Sequence, residues 1–152
     1  MRFSLVTVTF NSARTFRDTI NSVLSQTYQD LEYIIVDGLS SDGTVEIIKE
    51  YESLFCGRMK WISEKDYGLY DAMNKGFRMA TGEIVGIINS DDLIADPATI
   101  EKVVKCFEDD GSIDAVYADL YYVAQNDTSK IVRHWKSRKQ RSFTKGWHPA
   151  HP

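Results

Sequence analysis

The sequence predicts an α/β domain: a mostly parallel sheet with helices packed on both faces. Three observations predict it. Short runs of β-branched and aromatic residues alternate with segments whose apolar residues recur at helical spacing. Several of the runs, such as Ile84–Asn89, are apolar along most of their length, as in strands covered on both faces. Finally, 152 residues that are 43% hydrophobic and 26% charged, with only 9 Gly and 3 Pro, have the composition of one globular domain with a core.

Residues 3–10 (FSLVTVTF) read as a buried first strand. Asn11 or Ser12 is placed to cap the next helix, whose Phe16, Ile20, Val23 and Leu24 share one face. Leu31–Asp37 is a second strand ending at an acid, and Asp42-Gly43-Thr44 turns into a short helix carrying Val45 and Ile48. Met59–Ser63 is a third strand. Tyr70, Met73 and Phe77 mark the core face of another helix, stopped by Thr81-Gly82. Ile84–Asn89 is the fourth strand. Asp96-Pro97 supplies the cap and first turn of a helix with Ile100, Val103, Val104 and Phe107 inward, and Cys106 reads as packed there. The pattern then changes to short β pieces, Ala115–Tyr117, Leu120–Ala124 and Ile131–Trp135, with a turn at Asn126-Asp127.

Charge is distributed unevenly. Residues 1–129 hold 11 Lys/Arg against 22 Asp/Glu, whereas residues 130–152 hold 7 Lys/Arg and no acid. The acidic body disfavours broad nucleic-acid binding but tolerates a nucleotide carried with a divalent cation. The basic end is either a phosphate- or membrane-facing segment or a solvated terminus. No apolar run is long enough to span a bilayer, no signal peptide is recognisable, and two cysteines make neither a disulfide framework nor a zinc site. A cytoplasmic location is expected.

In a parallel sheet, ligands bind beyond the carboxyl ends of the strands. Asp37 ends strand two, Glu64 and Asp66 follow strand three, and Asp91 and Asp92 follow strand four. These acids are expected to converge on one rim, where repulsion is relieved by a hard cation that prefers oxygen ligands, Mn²⁺ or Mg²⁺. The alternative is that Ser90, Asp91 and Asp92 form an Asx turn and no more. Other nucleotide folds fit poorly. No G-x-G-x-x-G follows strand one, and Thr44 stands where a P-loop needs its lysine. There is no G-x-S-x-G elbow, and His134, His148 and His151 all lie near the end of the chain.

Four segments in order, VTVTFN (6–11), SVLSQTYQDLEYIIVDGLSSDGT (22–44), SEKDYGLYDAMNKG (63–76) and TGEIVGIINSDD (81–92), resemble family 2 glycosyltransferases of the GT-A fold. The resemblance is to the branch found in O-antigen and capsule assembly. It implies a Rossmann-like fold whose C-terminal part is truncated here. Residues 1–129 would be the nucleotide-sugar (donor) domain and 130–152 the incomplete, basic start of the acceptor side. It also implies inverting transfer of a sugar from a nucleotide-sugar, a UDP-sugar by preference, to a saccharide or lipid-linked saccharide acceptor at the inner face of a membrane. By the same resemblance Val8, Thr9, Asn11, Asp37, Asp66, Gly68, Ser90 and Asp91 would contact the nucleotide and Asp92 would ligate Mn²⁺ or Mg²⁺. Asp119 and His151 would face the acceptor. Two positions depart from the family pattern: Gly38 replaces the second acid of a pair, and Asn89 stands where many relatives place an acid. The general base would lie after residue 152, which leaves this piece inactive alone. Two other readings are a non-catalytic nucleotide-sugar-binding module and a sugar-nucleotide nucleotidyltransferase. The latter normally has a Gly- and Lys/Arg-rich first loop, whereas residues 9–15 offer only Arg14.

Overall fold

The computed structural model describes residues 1–137. The chain forms two compact units, Met1–Asp109 and a second from Asp110 onward. In the first, β1 (Phe3–Thr9), β2 (Leu31–Asp37), β3 (Met59–Ser63) and β4 (Ile84–Ile87) make a sheet in the order β3-β2-β1-β4, every pair parallel. The helices α1 (Phe16–Leu24), α2 (Thr44–Glu52) and α3 (Leu69–Met79) make the crossovers, and α4 (Thr99–Asp109) follows β4. Because side chains alternate along a strand, the two central strands feed two separate cores. Phe3 and Leu5 of β1 and Leu31, Tyr33 and Ile35 of β2 pack with Phe16, Ile20 and Val23 of α1, with Ile47 and Ile48 of α2, and with Ile100 and Val104 of α4. On the opposite face Val8 and Val36 pack with Ala72 and Met73 of α3. That second layer is thin, and α3 lies so close to β1 that a Cβ on Gly76 would collide with Val6 Cγ1.

Several sequence expectations shift. The residue before α1 is Thr15, not Asn11 or Ser12, and no side chain caps the helix. Asn11 instead has a positive φ of 49° and bridges to Ser40 and Ser41. Phe10 leaves the sheet and is exposed. Helix α3 buries Ala72, Met73 and Gly76, which turns Tyr70 and Phe77 outward: only a glycine lets the helix sit down on β1, and the face containing it takes the core. Cys106 is exposed on α4, whose buried residues are Ile100 and Val104. Residues 115–117 are not a strand.

The second unit contains an antiparallel pair, β5 (Leu120–Ala124) and β6 (Asp127–Trp135), with register irregularities on either side of Val123. The change of charge at residue 130 falls inside β6. The Arg133 guanidinium lies 4.8 Å from the Trp135 ring centroid and 5.8 Å from that of Tyr122.

Candidate functional site

Strand order reverses between β1 and β4. The chain leaves β1 toward β2 and β3, then returns through α3 to pair β4 on the other side of β1. Backbone paths diverge at such a switch point and leave a crevice at the carboxyl ends of the strands. A cleft of about 350 Å³ opens there. Val8, Thr9, Phe10 and Ser12 line it from the end of β1, and Asn89, Ser90 and Asp91 from the end of β4. Asp66, Gly68, Leu69 and Ala72 close it from the start of α3.

The cleft brings together Val8, Thr9, Asp66, Gly68, Ser90 and Asp91 of the residues singled out from the sequence. Asn11, Asp37 and Asp92 lie outside its lining. Asp37 is fully buried, and its carboxylate accepts from Ser40 N–H at 3.0 Å, from the Ser40 hydroxyl and from Ser63 Oγ at 2.6 Å. It thereby ties the loop after β2 to the end of β3. Glu64 pairs with Lys75 at 2.9 Å. The expected rim of five acids therefore reduces to Asp66 and Asp91 in the cleft, because neighbouring hydroxyls and a lysine engage the carboxylates of Asp37 and Glu64. Asp119 belongs to the second unit, where its carboxylate receives Ser137 N–H at 2.8 Å and lies 2.9 Å from His134 Nε2; these partners hold its carboxyl below the usual range. His151 lies outside the described residues.

Loop hydrogen bonds fix the walls. Ser12 Oγ and Ser90 Oγ are 2.9 Å apart, joining the β1 and β4 loops, and Thr15 Oγ1 donates to the Ser90 carbonyl at 3.0 Å. Asp42 accepts from Thr44 Oγ1 at 2.6 Å and from Ala13 N–H at 2.9 Å, and these bonds lower its pKa. The loop holding Asp66 is clamped by Lys75, which donates to the Lys65 carbonyl at 2.7 Å as well as pairing with Glu64; that pairing raises the lysine's pKa. Inside the first wall, the buried Thr9 hydroxyl has no hydrogen-bond partner among the described residues.

Sequence reasoning missed Phe10, Ser12, Leu69, Ala72 and Asn89 as lining residues. The strand-end rule pointed to the β1 loop, so Phe10 and Ser12 were within reach. Leu69 and Ala72 depend on how α3 rotates against the sheet, and periodicity alone places Tyr70, Met73 and Phe77 on its core face.

The family model for glycosyl transferase family 2 matches residues 4–151. The chain belongs to that family. This family 2 chain is 34% identical over 108 residues to an uncharacterized glycosyltransferase of Nostoc sp., covering 71% of this chain and 33% of the relative. It is 31% identical over 124 residues to the PGL/p-HBAD biosynthesis glycosyltransferase of Mycobacterium bovis, covering 82% and 48% respectively. The chain thus spans between a third and about half of these curated relatives. Among solved structures, S. aureus TarS in complex with UDP-GlcNAc superposes with a TM-score of 0.64 at 25% identity, covering 72% of this chain and 32% of that one. A mannosyltransferase of Pyrobaculum calidifontis in complex with GDP-Man and Mn²⁺ gives 0.67 at 25% identity, covering 84% and 37%. The parallel sheet and its flanking helices are those of GT-A glycosyltransferases.

Asn89 has a clear local part in the β4 wall of the cleft. Its Nδ2 donates to Asp92 Oδ2 at 2.9 Å, while Asp92 N–H donates to the Asn89 carbonyl at 3.2 Å. An acid at 89 would repel Asp92, whereas the amide orients it. The described residues contain no group of three or more His, Cys, Asp or Glu disposed around a common point. A donor set of one or two carboxylates, with no soft ligand, suits Mg²⁺ or Mn²⁺, which completes its shell with substrate phosphates and water. No helix among the described residues is long and apolar enough to cross a membrane.

Proposed function

We propose that this chain is the donor-binding part of an inverting glycosyltransferase that takes a nucleotide-sugar, by preference a UDP-sugar, and glycosylates a saccharide or lipid-linked saccharide hydroxyl. The observation that carries the reading is the position of the cleft: in a family 2 chain it opens at the β1/β4 switch point, between the segment after β1 and the Ser90-Asp91-Asp92 segment. Residues 1–129 are assigned to the donor side and 130–152 to the start of the acceptor side. The setting is cytoplasmic, at the inner face of the envelope membrane, in polysaccharide or O-antigen-type synthesis.

In the mechanism, Val8, Thr9, Phe10 and Asp66 hold the nucleoside, and Ser90 and Asp91 lie at the β4 wall toward the ribose and diphosphate. Asn11 and Asp37 act through the β1 and β2 loops they hold. Asp92, oriented by Asn89, is the residue that would hold Mn²⁺ or Mg²⁺, with Asp91 beside it. Such a cation, when bound, neutralises the negative charge that grows on the diphosphate as the glycosidic bond breaks. Inversion requires a base on the face opposite the leaving group. We assign it to a segment following residue 152; residues 128–152 contain no Asp or Glu. Asp119 and His151 are assigned to the acceptor side.

Titration calorimetry of the chain with UDP is expected to show binding that requires Mn²⁺ and disappears with EDTA, and Asp92→Ala is expected to weaken it at least about 10-fold. Binding indifferent to EDTA and to Asp92→Ala would remove the metal role. The 152 residues alone are expected to transfer little sugar, and a version extended by the acceptor half to transfer it readily.

A further inference from the structure

One corner of the cleft has a geometry that selects among bases. A Cβ built on Gly38 would stand 2.6 Å from Asp66 Oδ2 and 3.4 Å from Phe10 Cδ2. The absent side chain at 38 thus leaves a notch, and the Asp66 carboxylate and the edge of the Phe10 ring meet over it. Phe10 is 62% exposed and lines the cleft, as does the half-buried Asp66. The two Asp66 oxygens differ. Oδ1 accepts the Gly68 N–H at 2.9 Å, which anchors the group, whereas Oδ2 accepts no hydrogen bond from the described residues. An aromatic ring beside a fixed carboxylate oxygen that lacks a donor provides a stacking surface with an acceptor at its edge.

Resting on the nucleotide-sugar reading, we infer that Asp66, seated against Gly38, selects the base of the donor by its ring N–H. An ionised carboxylate accepts and never donates. Uracil, thymine and guanine present a ring N–H on their pairing edge, whereas cytosine and adenine present a bare ring nitrogen that would face Asp66 Oδ2 acceptor to acceptor. Uracil and cytosine are nearly identical in size and stacking, so the pair isolates this edge from every other contact. Discrimination by a site left with an unmade polar contact is larger than discrimination by shape alone.

The test is calorimetric titration of the 152-residue chain with UDP, CDP, GDP and ADP, with Mn²⁺ constant throughout. UDP is expected to bind on the order of 10-fold or more tightly than CDP, and GDP more tightly than ADP. In Asp66→Asn the Gly68 N–H keeps the amide oxygen at the Oδ1 position, so the NH₂ takes the place of Oδ2 and donates. The UDP-to-CDP preference is expected to fall by about 10-fold or to reverse, a change that a merely structural role for Asp66 would not produce. Gly38→Ala, which drives the carboxylate out of the notch, is expected to weaken UDP and to erode the same preference. If none of the four diphosphates binds, the nucleotide reading fails and this inference fails with it. If they bind but UDP and CDP are equal, or the ratio is unchanged in Asp66→Asn, the nucleotide reading stands and the role of Asp66 is overturned.

Discussion

Thr9 is the last residue of β1, and its hydroxyl is held in the cleft wall without an internal partner among the described residues. The residue is buried, lines the cleft, and carries a hydroxyl with no partner among the described residues. A buried hydroxyl without a partner costs roughly 1–3 kcal/mol. Valine has nearly the same shape without that cost. Thr9→Val is therefore expected to raise the unfolding free energy of the ligand-free chain by about 1 kcal/mol in urea denaturation. The same substitution is expected to weaken nucleotide binding, since the hydroxyl is then lost to the ligand. A stabilised variant with unchanged affinity would show that Thr9 is an orphan rather than a contact. Asp37 shows the opposite economy at the end of the next strand. Two serines and a backbone N–H satisfy its carboxylate completely enough that it serves the loop rather than the cleft.

At the scale of elements, α3 decides the most. Its first turn supplies Leu69 and Ala72 to the cleft, and the loop before it carries Asp66. Its distance from the sheet is set by Gly76 against Val6, a side chain with no exposed surface. Alanine is the better helix former by about 1 kcal/mol, so propensity alone would favour Gly76→Ala. Overpacking a dense core costs about 1–3 kcal/mol, and here it acts against a strand fixed on both sides by hydrogen bonds. Gly76→Ala is expected to destabilise the chain by about 1–2 kcal/mol in the same denaturation experiment, and to weaken nucleotide binding by lifting the wall of the cleft. This is also where legibility in the sequence ended. The strands were readable because β-branched runs such as Leu31–Asp37 have one physical use, and the parallel sheet followed from their alternation with helices; the strand order that makes the switch point did not. The face of α3 was not readable, because Tyr70, Met73 and Phe77 make an equally good apolar stripe until the contact at Gly76 turns Ala72 and Met73 inward. The acids were located correctly at strand ends, but their partners come from distant loops. That is why Asp37 and Glu64 were expected in a cleft from which serines and Lys75 withdraw them.

At the scale of the whole molecule, the sheet is closed at the end opposite the cleft by one buried charge. Glu32 lies near the start of β2 with a side chain only 1% exposed. Its carboxylate accepts from the Ser4 hydroxyl of β1, from Lys60 Nζ of β3 at 3.0 Å, and from Thr81 N–H at 2.6 Å and Oγ1 at 2.9 Å just before β4. Burial pushes the carboxyl up, but the bonds from Ser4, Thr81 and Lys60 outweigh it and hold the pKa at about 2, against an ordinary 4.5. One side chain of β2 thus couples β1 and β3 to the segment that leads into β4, and the ionised form belongs to the folded state. Since the folded value is the lower one, the stabilisation is complete above the range in which the unfolded carboxyl titrates, near 4.5, and is lost as pH falls from there toward 2. Its size at neutral pH is about 3 kcal/mol. Glu32→Gln keeps the shape and removes the charge, leaving Lys60 without its partner. The variant is expected to lose about 2–3 kcal/mol of unfolding free energy at pH 7, and the gap from the parent chain is expected to narrow steadily between pH 5 and pH 2. Because the network lies at the far end of the strands from Thr9 and Asp91, the nucleotide dissociation constant of folded Glu32→Gln is expected to match the parent's. A gap independent of pH would mean that the Glu32 carboxyl titrates alike in the folded and unfolded chain, and its ionisation would then contribute nothing to stability.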